Sequence, residues 1–248
     1  AGLFKEALCV TNTADYYPQY LEPDNIGVQS SLAGVGLVYN PEALADAGVA
    51  PPTSWSDLWS DRFAGKVGLW NIPSSVGVAS IFAISNVLGG DEDAAFSKLA
   101  EILDAGGTLF EAPAELEQLI DSQTVWVAPS SDARALQAIK KELPFVFVDP
   151  AEGMVPIPNH FDIPVGTQNI DAARAFLNFL ARDDNLVHLV EGIFVSPVNK
   201  KIVLSDELSA VLIDSDEEVA RLMQPNYVDL AKNLDGWVER FNLEVVGS

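Results

Sequence analysis

The chain has 248 residues, of which 48% are hydrophobic, so it can bury the core of one large domain or of two small lobes. Its 36 acidic and 14 basic residues give a net charge of −22, which repels the phosphates of nucleic acids and of anionic membranes and excludes both as partners. No apolar stretch reaches the roughly 18 residues that span a bilayer. Because Cys9 is the single cysteine, we expect neither an internal disulfide nor a Cys/His metal cluster.

Short apolar runs alternate with helical patterns from residue 34 to about residue 163. The predicted strands are Gly34–Tyr39, Lys66–Trp70, Thr108–Phe110, Val125–Ala128, Pro144–Val148 and Met154–Ile157. The predicted helices are Ser75–Leu88, Glu92–Asp104, Ala114–Asp121 and Asp132–Glu142. Because strands separated by helices of this length are typical of βαβ units, we expect an α/β lobe with a mainly parallel sheet.

A short helix is predicted after the first of these strands. Thr53 or Ser54 can cap it, and Asp57 places a negative charge in its first turn, where the helix dipole favours one. Trp55, Leu58 and Trp59 lie three and four residues apart, so they are expected to face one side of the helix.

The chain becomes mostly helical after about residue 165. The helix-like segments there are Asp171–Leu180, Asn185–Glu191, Ser205–Leu212, Glu217–Leu222 and Asp229–Phe241. This change predicts one α/β lobe over residues 39–163, inserted between segments 1–38 and 164–248 that belong to another lobe.

Several segments resemble, in order and spacing, the bacterial extracellular solute-binding proteins of ABC importers, of the spermidine/putrescine-binding type. The segments that carry the resemblance are Gly34–Asn40 with Pro51–Trp59, Phe63–Trp70, Ile163–Pro164 followed by Asp171–Leu180, Gly192–Asn199, and Asn233–Phe241. The resemblance covers essentially the whole chain.

The resemblance implies a type 2 periplasmic binding fold, with two lobes joined by a hinge that clasp a small solute and deliver it to a membrane permease. It implies an exported, periplasmic protein whose signal peptide lies outside this chain, with no catalytic residues and no cofactor. Family members carry βα units before the point that matches Ala1–Phe4. We therefore expect the first lobe, 1–38 and 164–248, to be incomplete.

Ligands of open α/β sheets bind outside the carboxyl ends of the strands, near helix N-termini. Two turns of the expected second lobe occupy such positions, one after Lys66–Trp70 and one after Val125–Ala128. The candidate ligand-binding residues in these turns are Asn71, Ser74, Ser75, Ser130, Ser131 and Asp132. Free N–H groups and hydroxyls there favour an anionic or polar group, and the alternative is that these serines only cap their own helices.

Further candidates lie where the chain crosses between the expected lobes. Asn159 and His160 are placed near the second crossover, and Ser30 and Ser31 precede the hinge strand from the side of the first lobe. His160 could instead be a hinge or surface histidine.

A polyamine receptor of this family neutralises amines with carboxylates and sandwiches the methylene chain between aromatic rings. By position, its acidic residues correspond to Ile72, Ser75 and Asn159 here, and its aromatic residues to Ala128 and Ile157. Because an unpaired buried ammonium is costly, we expect a neutral polar or anionic solute in preference to a polyamine.

Two other classes of function stay open. An enzyme could use the same fold, although the sequence shows no nucleophile–base pair, metal-ligand spacing or glycine-rich phosphate loop. A sensor or an interaction protein is the other alternative. Tyr16 and Tyr17 resemble the adjacent tyrosines of ferric-iron receptors, but in those proteins the pair lies in the second lobe, so no metal site is predicted.

Overall fold

The chain is described by a computed structural model that covers residues 4–5, 14–21 and 27–247, so Cys9 lies outside the described residues. It divides into two compact units. The first unit comprises Ala1–Ala33 and Ile157–Ala220, and the second comprises Gly34–Pro156 and Arg221–Ser248.

Strands and helices alternate through the first two thirds of the chain, and helices dominate after that. The strands are β1 (Phe4–Lys5), β2 (Gly27–Tyr39), β3 (Gly68–Trp70), β4 (Thr108–Phe110), β5 (Val127–Ser131), β6 (Val146–Val148), β7 (Val155–Pro164) and β8 (Ser196–Pro197). The α-helices are α1 (Pro41–Ala47), α2 (Ser75–Val87), α3 (Glu92–Asp104), α4 (Pro113–Asp121), α5 (Asp132–Lys140), α6 (Ile170–Leu180), α7 (Asp183–Ile193), α8 (Asp206–Ser209), α9 (Asp216–Arg221) and α10 (Tyr227–Arg240). Short 3₁₀ helices cover Pro18–Tyr20, Trp55–Trp59 and Asp61–Phe63, and a π-helix covers Phe241–Val246.

The predicted elements are confirmed, while three strands extend further than predicted. β5 ends at Ser131 instead of Ala128, so Ser130 and Ser131 lie in the strand and not in a turn after it. β2 begins at Gly27 instead of Gly34, and β7 continues to Pro164 instead of ending at Ile157. The added parts contain polar residues such as Ser30, Ser31 and Asn159, which interrupt the apolar pattern that marks a buried strand. Hydrogen bonds to neighbouring strands outweigh this weak local preference.

The expectation of a mainly parallel sheet is wrong for β2. β3 pairs parallel with β4, and a parallel bridge joins Val67 to Val127, so these three segments form the expected βαβ arrangement. β2 instead runs antiparallel to both β5 and β6. Gly36 of β2 lies so close to β6 that a Cβ atom there would be 2.4 Å from the Val148 carbonyl oxygen, so the close approach of the two strands requires glycine.

The segment Trp55–Trp59 is a 3₁₀ helix with the predicted cap. Ser54 accepts a hydrogen bond from the Ser56 N–H, and Asp57 closes a capping box on the Ser54 N–H. Trp55 is fully buried, and its indole N–H donates to the Gly153 carbonyl oxygen at 3.0 Å. Leu58 is buried as well, while Trp59 is partly exposed.

The C-terminal segment Arg221–Ser248 belongs to the second unit, whereas the predicted division placed all of 164–248 in the first lobe. Its packing against α3 explains the difference. The Trp237 ring meets the edge of Phe96, with centroids 6.5 Å apart, and its indole N–H donates to the Glu92 carboxylate at 3.0 Å. The Arg240 guanidinium lies over the Phe96 ring. The predicted changes of lobe at residues 39 and 163 fall at Gly34 and Pro156 in this division.

In the first unit, β7 lies between β1 and β2, and β8 pairs with β2. The core of this sheet includes Val28 and Ile163, which pack against Leu177 and Ala181 at the C-terminal end of α6. Among the described residues, the helices are all too short or too polar to cross a membrane.

Candidate functional site

In the second unit, β3, β4 and the β5 segment run in the same direction, so their carboxyl ends meet at one edge. The indole N–H of Trp70, the last residue of β3, donates to the Pro129 carbonyl oxygen of β5 at 2.8 Å. This bond joins the two strand ends that precede the predicted turns. The structure therefore brings the Asn71–Ser75 turn and the junction of β5 with α5, Ser130–Asp132, to the same edge of the sheet, which is where ligands of α/β folds bind.

The first turn opens α2. Ser74 is its N-cap, and its hydroxyl accepts the Gly77 N–H at 3.0 Å. The N–H groups of Ser75 and Val76 precede this capped position and have no acceptor within the helix. Ser75 is exposed, and the first turn carries no acidic residue, so the positive end of the helix dipole is not neutralised there.

Asn71 fixes the shape of this turn. Its Oδ1 accepts the Ile72 N–H at 2.9 Å, and its Nδ2 donates to the Glu111 carboxylate at 2.8 Å. Glu111 is exposed and directly follows β4, so it brings a negative charge to the same edge. The sequence reasoning missed Glu111, although its place after a predicted strand is the signal that selected the other turns.

The second candidate segment, Ser130–Asp132, lies at the N-terminus of α5, where its own side chains accept N–H groups of that helix. Ser131 is the N-cap and accepts the Arg134 N–H at 3.3 Å. Asp132 has no exposed surface, and its two carboxylate oxygens accept the N–H groups of Gly34 and Ala133 at 3.0 and 2.6 Å. Ser130 is also buried, and its hydroxyl donates to the Ser131 carbonyl oxygen. These contacts favour the capping alternative at Ser131 and Asp132.

In the first unit, the structure brings Ser30, Ser31 and Asn159 together. The Ser30 hydroxyl donates to the Asn159 carbonyl oxygen at 3.2 Å, and the Asn159 amide donates to the Ser31 hydroxyl at 3.2 Å. The two serines are buried, while Asn159 is exposed and His160 is partly exposed. The cluster thus presents one exposed amide, on β7, backed by two hydroxyls of β2.

The tyrosines considered for iron lie in the first unit. Burial, reinforced by the negative charge of Asp183, raises the pKa of Tyr16 to about 12, and burial with nearby carboxylates raises that of Tyr17 to about 12. A ferric ligand must be a phenolate, so these environments disfavour iron binding. No cluster of three or more potential metal-ligating His, Cys, Asp or Glu side chains is found within residues 14–21 and 27–247.

The positions that correspond to the polyamine-binding residues carry no charge and no aromatic ring. Ile72 and Ala128 are buried, Ile157 is partly buried, and Ser75 and Asn159 are exposed. Glu111, which directly follows β4 at this edge, is a carboxylate, and it accepts a hydrogen bond from Asn71.

A sequence model of one family, described as bacterial extracellular solute-binding protein, matches residues 5–219. No curated protein sequence matches the chain at a significant level.

Solved structures with the same fold span more residues than this chain. An ABC transporter protein from Clostridium perfringens superposes with a TM-score of 0.83 at 21% identity, over 98% of this chain and 78% of its own. The periplasmic binding protein AfuA from Actinobacillus pleuropneumoniae, with fructose-6-phosphate bound, has a TM-score of 0.75 at 19% identity, over 100% of this chain and 78% of AfuA. A spermidine/putrescine substrate-binding protein, PotD from Streptococcus pneumoniae, has a TM-score of 0.68 at 19% identity, over 95% of this chain and 79% of PotD.

Proposed function

Because the chain belongs to the bacterial extracellular solute-binding protein family, we propose that it is the receptor of an ABC importer that captures a small neutral polar or anionic solute. It would work in the periplasm and deliver the solute to a membrane permease, without catalysing a reaction. The observation that carries the proposal is the family match over residues 5–219, and it is supported by the N–H groups of Ser75 and Val76, which have no acceptor within α2 and lie at the carboxyl edge of the sheet.

The geometry of α2 supports an acceptor-bearing solute. The N–H groups of Ser75 and Val76 and the exposed Ser75 hydroxyl all donate toward an anion or a polar oxygen. The AfuA relative, which has fructose-6-phosphate bound, shows that this fold accommodates an anionic solute.

A thermal-shift screen of the purified protein tests the proposal. The panel contains polyamines, amino acids, organic acids, sugars, sugar phosphates and ferric iron. A solute at 100 times its dissociation constant stabilises the folded protein by about 2.7 kcal/mol, which is easily detected. We expect a hit among the sugars, sugar phosphates or organic acids. Stabilisation by a polyamine would support the receptor role but contradict the proposed neutral polar or anionic solute. Stabilisation by none of the compounds would contradict the receptor role.

The variant Ser75→Leu locates the site. It removes the hydroxyl and covers the helix N-terminus, so we expect it to weaken binding of the solute found in the screen. Ser97→Leu is the matched control because Ser97 is an exposed serine on α3 of the same unit. Equal solute affinities of the two variants, measured by calorimetry, would show that Ser75 does not contact the solute.

A further inference from the structure

Helix α6 of the first unit is apolar on two opposite sides. Its inner side packs on the sheet through Leu177, which is buried against Val28 and Ile163. Its outer face consists of four exposed residues, which are Ala172, Ala175, Phe176 and Phe179. An apolar stripe marks the side of a helix that is buried against another element. The first unit covers one such side of α6 and leaves the outer face bare.

This outer face differs from the surface of the second unit. Within residues 34–156, all of which the structure describes, no large hydrophobic side chain is exposed. Phe176 and Phe179 are 58% and 53% exposed, and they are neighbours on the helix because they lie three residues apart. None of the four residues of the outer face carries a charge. The face therefore has the character of an uncovered interface.

The order of small and large residues on the outer face selects a second copy of the chain as the partner. If two α6 helices pack antiparallel, Ala172 of one copy lies opposite Phe179 of the other, and Ala175 lies opposite Phe176. Each large ring then meets a small residue, which lets the two surfaces interdigitate. An interface between identical copies related by a two-fold axis requires this self-complementarity.

The charges at the two ends of α6 favour the same arrangement. Asp171 lies in the first turn and Arg182 directly after the C-cap, and both are exposed. In the antiparallel pair, Asp171 of each copy comes close to Arg182 of the other. The Nε and Nη2 groups of Arg182 donate to Asp184 of the same chain, and Nη1 has no acceptor among the described residues. Antiparallel helix dipoles also attract each other.

We propose that the outer face of α6 is the interface of a symmetric dimer in which two α6 helices pack antiparallel. The net charge of −22 on each copy opposes association, so the dimer should strengthen as salt screens the repulsion. Two phenylalanines and two alanines per copy cover less than the roughly 800 Å² that each partner buries in a standard interface. We therefore expect a weak dimer, with a dissociation constant on the order of 100 µM.

Sedimentation equilibrium of the intact chain at low and high salt is the first test. We expect a monomer–dimer equilibrium that strengthens several-fold at high salt. The double variant Phe176→Gln/Phe179→Gln should weaken it at least tenfold. The matched control Val203→Gln changes a side chain that is 87% exposed elsewhere in the first unit, and it should have no effect. Because both phenylalanines are exposed, the double variant should keep the thermal unfolding midpoint of the wild type.

Two results of this experiment would overturn the proposal. A chain that remains monomeric at about 1 mM, ten times the expected dissociation constant, would leave the outer face to a part of the fold that the longer solved relatives carry. A dimer that the double variant retains would place the interface elsewhere on the molecule.

Disulfide cross-linking tests the antiparallel register without removing both phenylalanines. Ala172→Cys and Phe179→Cys are prepared separately, each with Cys9→Ser, and are oxidised alone and as a mixture. Residues 172 and 179 of different copies lie opposite each other, so the mixture should form the cross-linked dimer. Two copies of residue 172 are separated by seven residues along the helix axis, about 10 Å, which is beyond the reach of a disulfide. Equal cross-linking in the unmixed samples, or none in the mixture, would contradict the proposed pairing.

Discussion

The N-termini of α2 and α5 look alike in sequence and differ in the structure. Each comes after a strand of the same sheet edge, and each has a pair of serines at its start, Ser74-Ser75 and Ser130-Ser131, of which Ser74 and Ser131 are the N-caps. At α5, the side chains of Ser131 and Asp132 accept the first N–H groups, and Asp132 is fully buried. At α2, Ser74 accepts one N–H, no acidic residue follows, and Ser75 is exposed.

The difference shows how one signature serves two purposes. Asp132 ties α5 to Gly34, the residue at which β2 enters the second unit, so this end of the helix holds the backbone in place. The α2 end keeps donors available for an outside acceptor. The first helical residue, Asp132 at α5 and Ser75 at α2, decides between these two states.

The largest expected effect is a loss of stability when the Asp132 carboxylate at the N-terminus of α5 is removed. Asp132→Ala leaves the buried N–H groups of Gly34 and Ala133 without their acceptor, which should reduce the free energy of unfolding by about 3 kcal/mol. Asp132→Asn keeps one acceptor oxygen and should lose less. Urea unfolding measures both, and a change below about 0.5 kcal/mol in the alanine variant would contradict the anchoring role.

The next largest effect is a loss of solute affinity when the N-terminus of α2 is covered by an apolar side chain. Ser75→Leu should weaken binding of the solute found in the screen at least tenfold, about 1.4 kcal/mol, while changing the free energy of unfolding by less than about 0.5 kcal/mol. Calorimetric titration and urea unfolding separate the two quantities. A variant that unfolds more easily without losing affinity would show that both helix ends are structural.

The two caps allow a matched pair of substitutions. Ser74→Ala and Ser131→Ala each remove one side-chain acceptor from a helix N-terminus and should each cost about 1 kcal/mol in stability. Only Ser74→Ala should also change solute affinity, because only that helix end is open. Equal solute affinities of the two variants would show that the N-terminus of α2 binds the solute no better than the N-terminus of α5.

The smallest effect concerns the charge beside the open end. Glu111→Gln keeps an acceptor for the Asn71 amide and removes a negative charge from the same edge. An anionic solute should then bind about two- to threefold more tightly, in the range of an exposed charge interaction. A neutral solute should be unaffected, so the comparison of a sugar with a sugar phosphate identifies the class that the site prefers.

Local patterns in the sequence were sufficient for most of the elements and for the family. The strand end at Trp70 and the N-termini of α2 and α5 are marked by an apolar run and by serine caps, which are short-range signals. The polar continuations of β2 and β7 were missed because pairing with neighbouring strands, not local preference, makes them strands. The placement of Arg221–Ser248 was missed because it depends on the contact of Trp237 with Phe96, residues far apart in the chain.

The sequence by itself determined the alternation of strands and helices, the acidic character and the membership of a solute-binding family. These depend on composition and on spacings of a few residues. The tertiary structure alone decided that Asp132 is a buried anchor and that Glu111 stands beside Asn71. Each of these facts depends on which distant backbone or side-chain atoms reach a given carboxylate, and no local pattern encodes that distance.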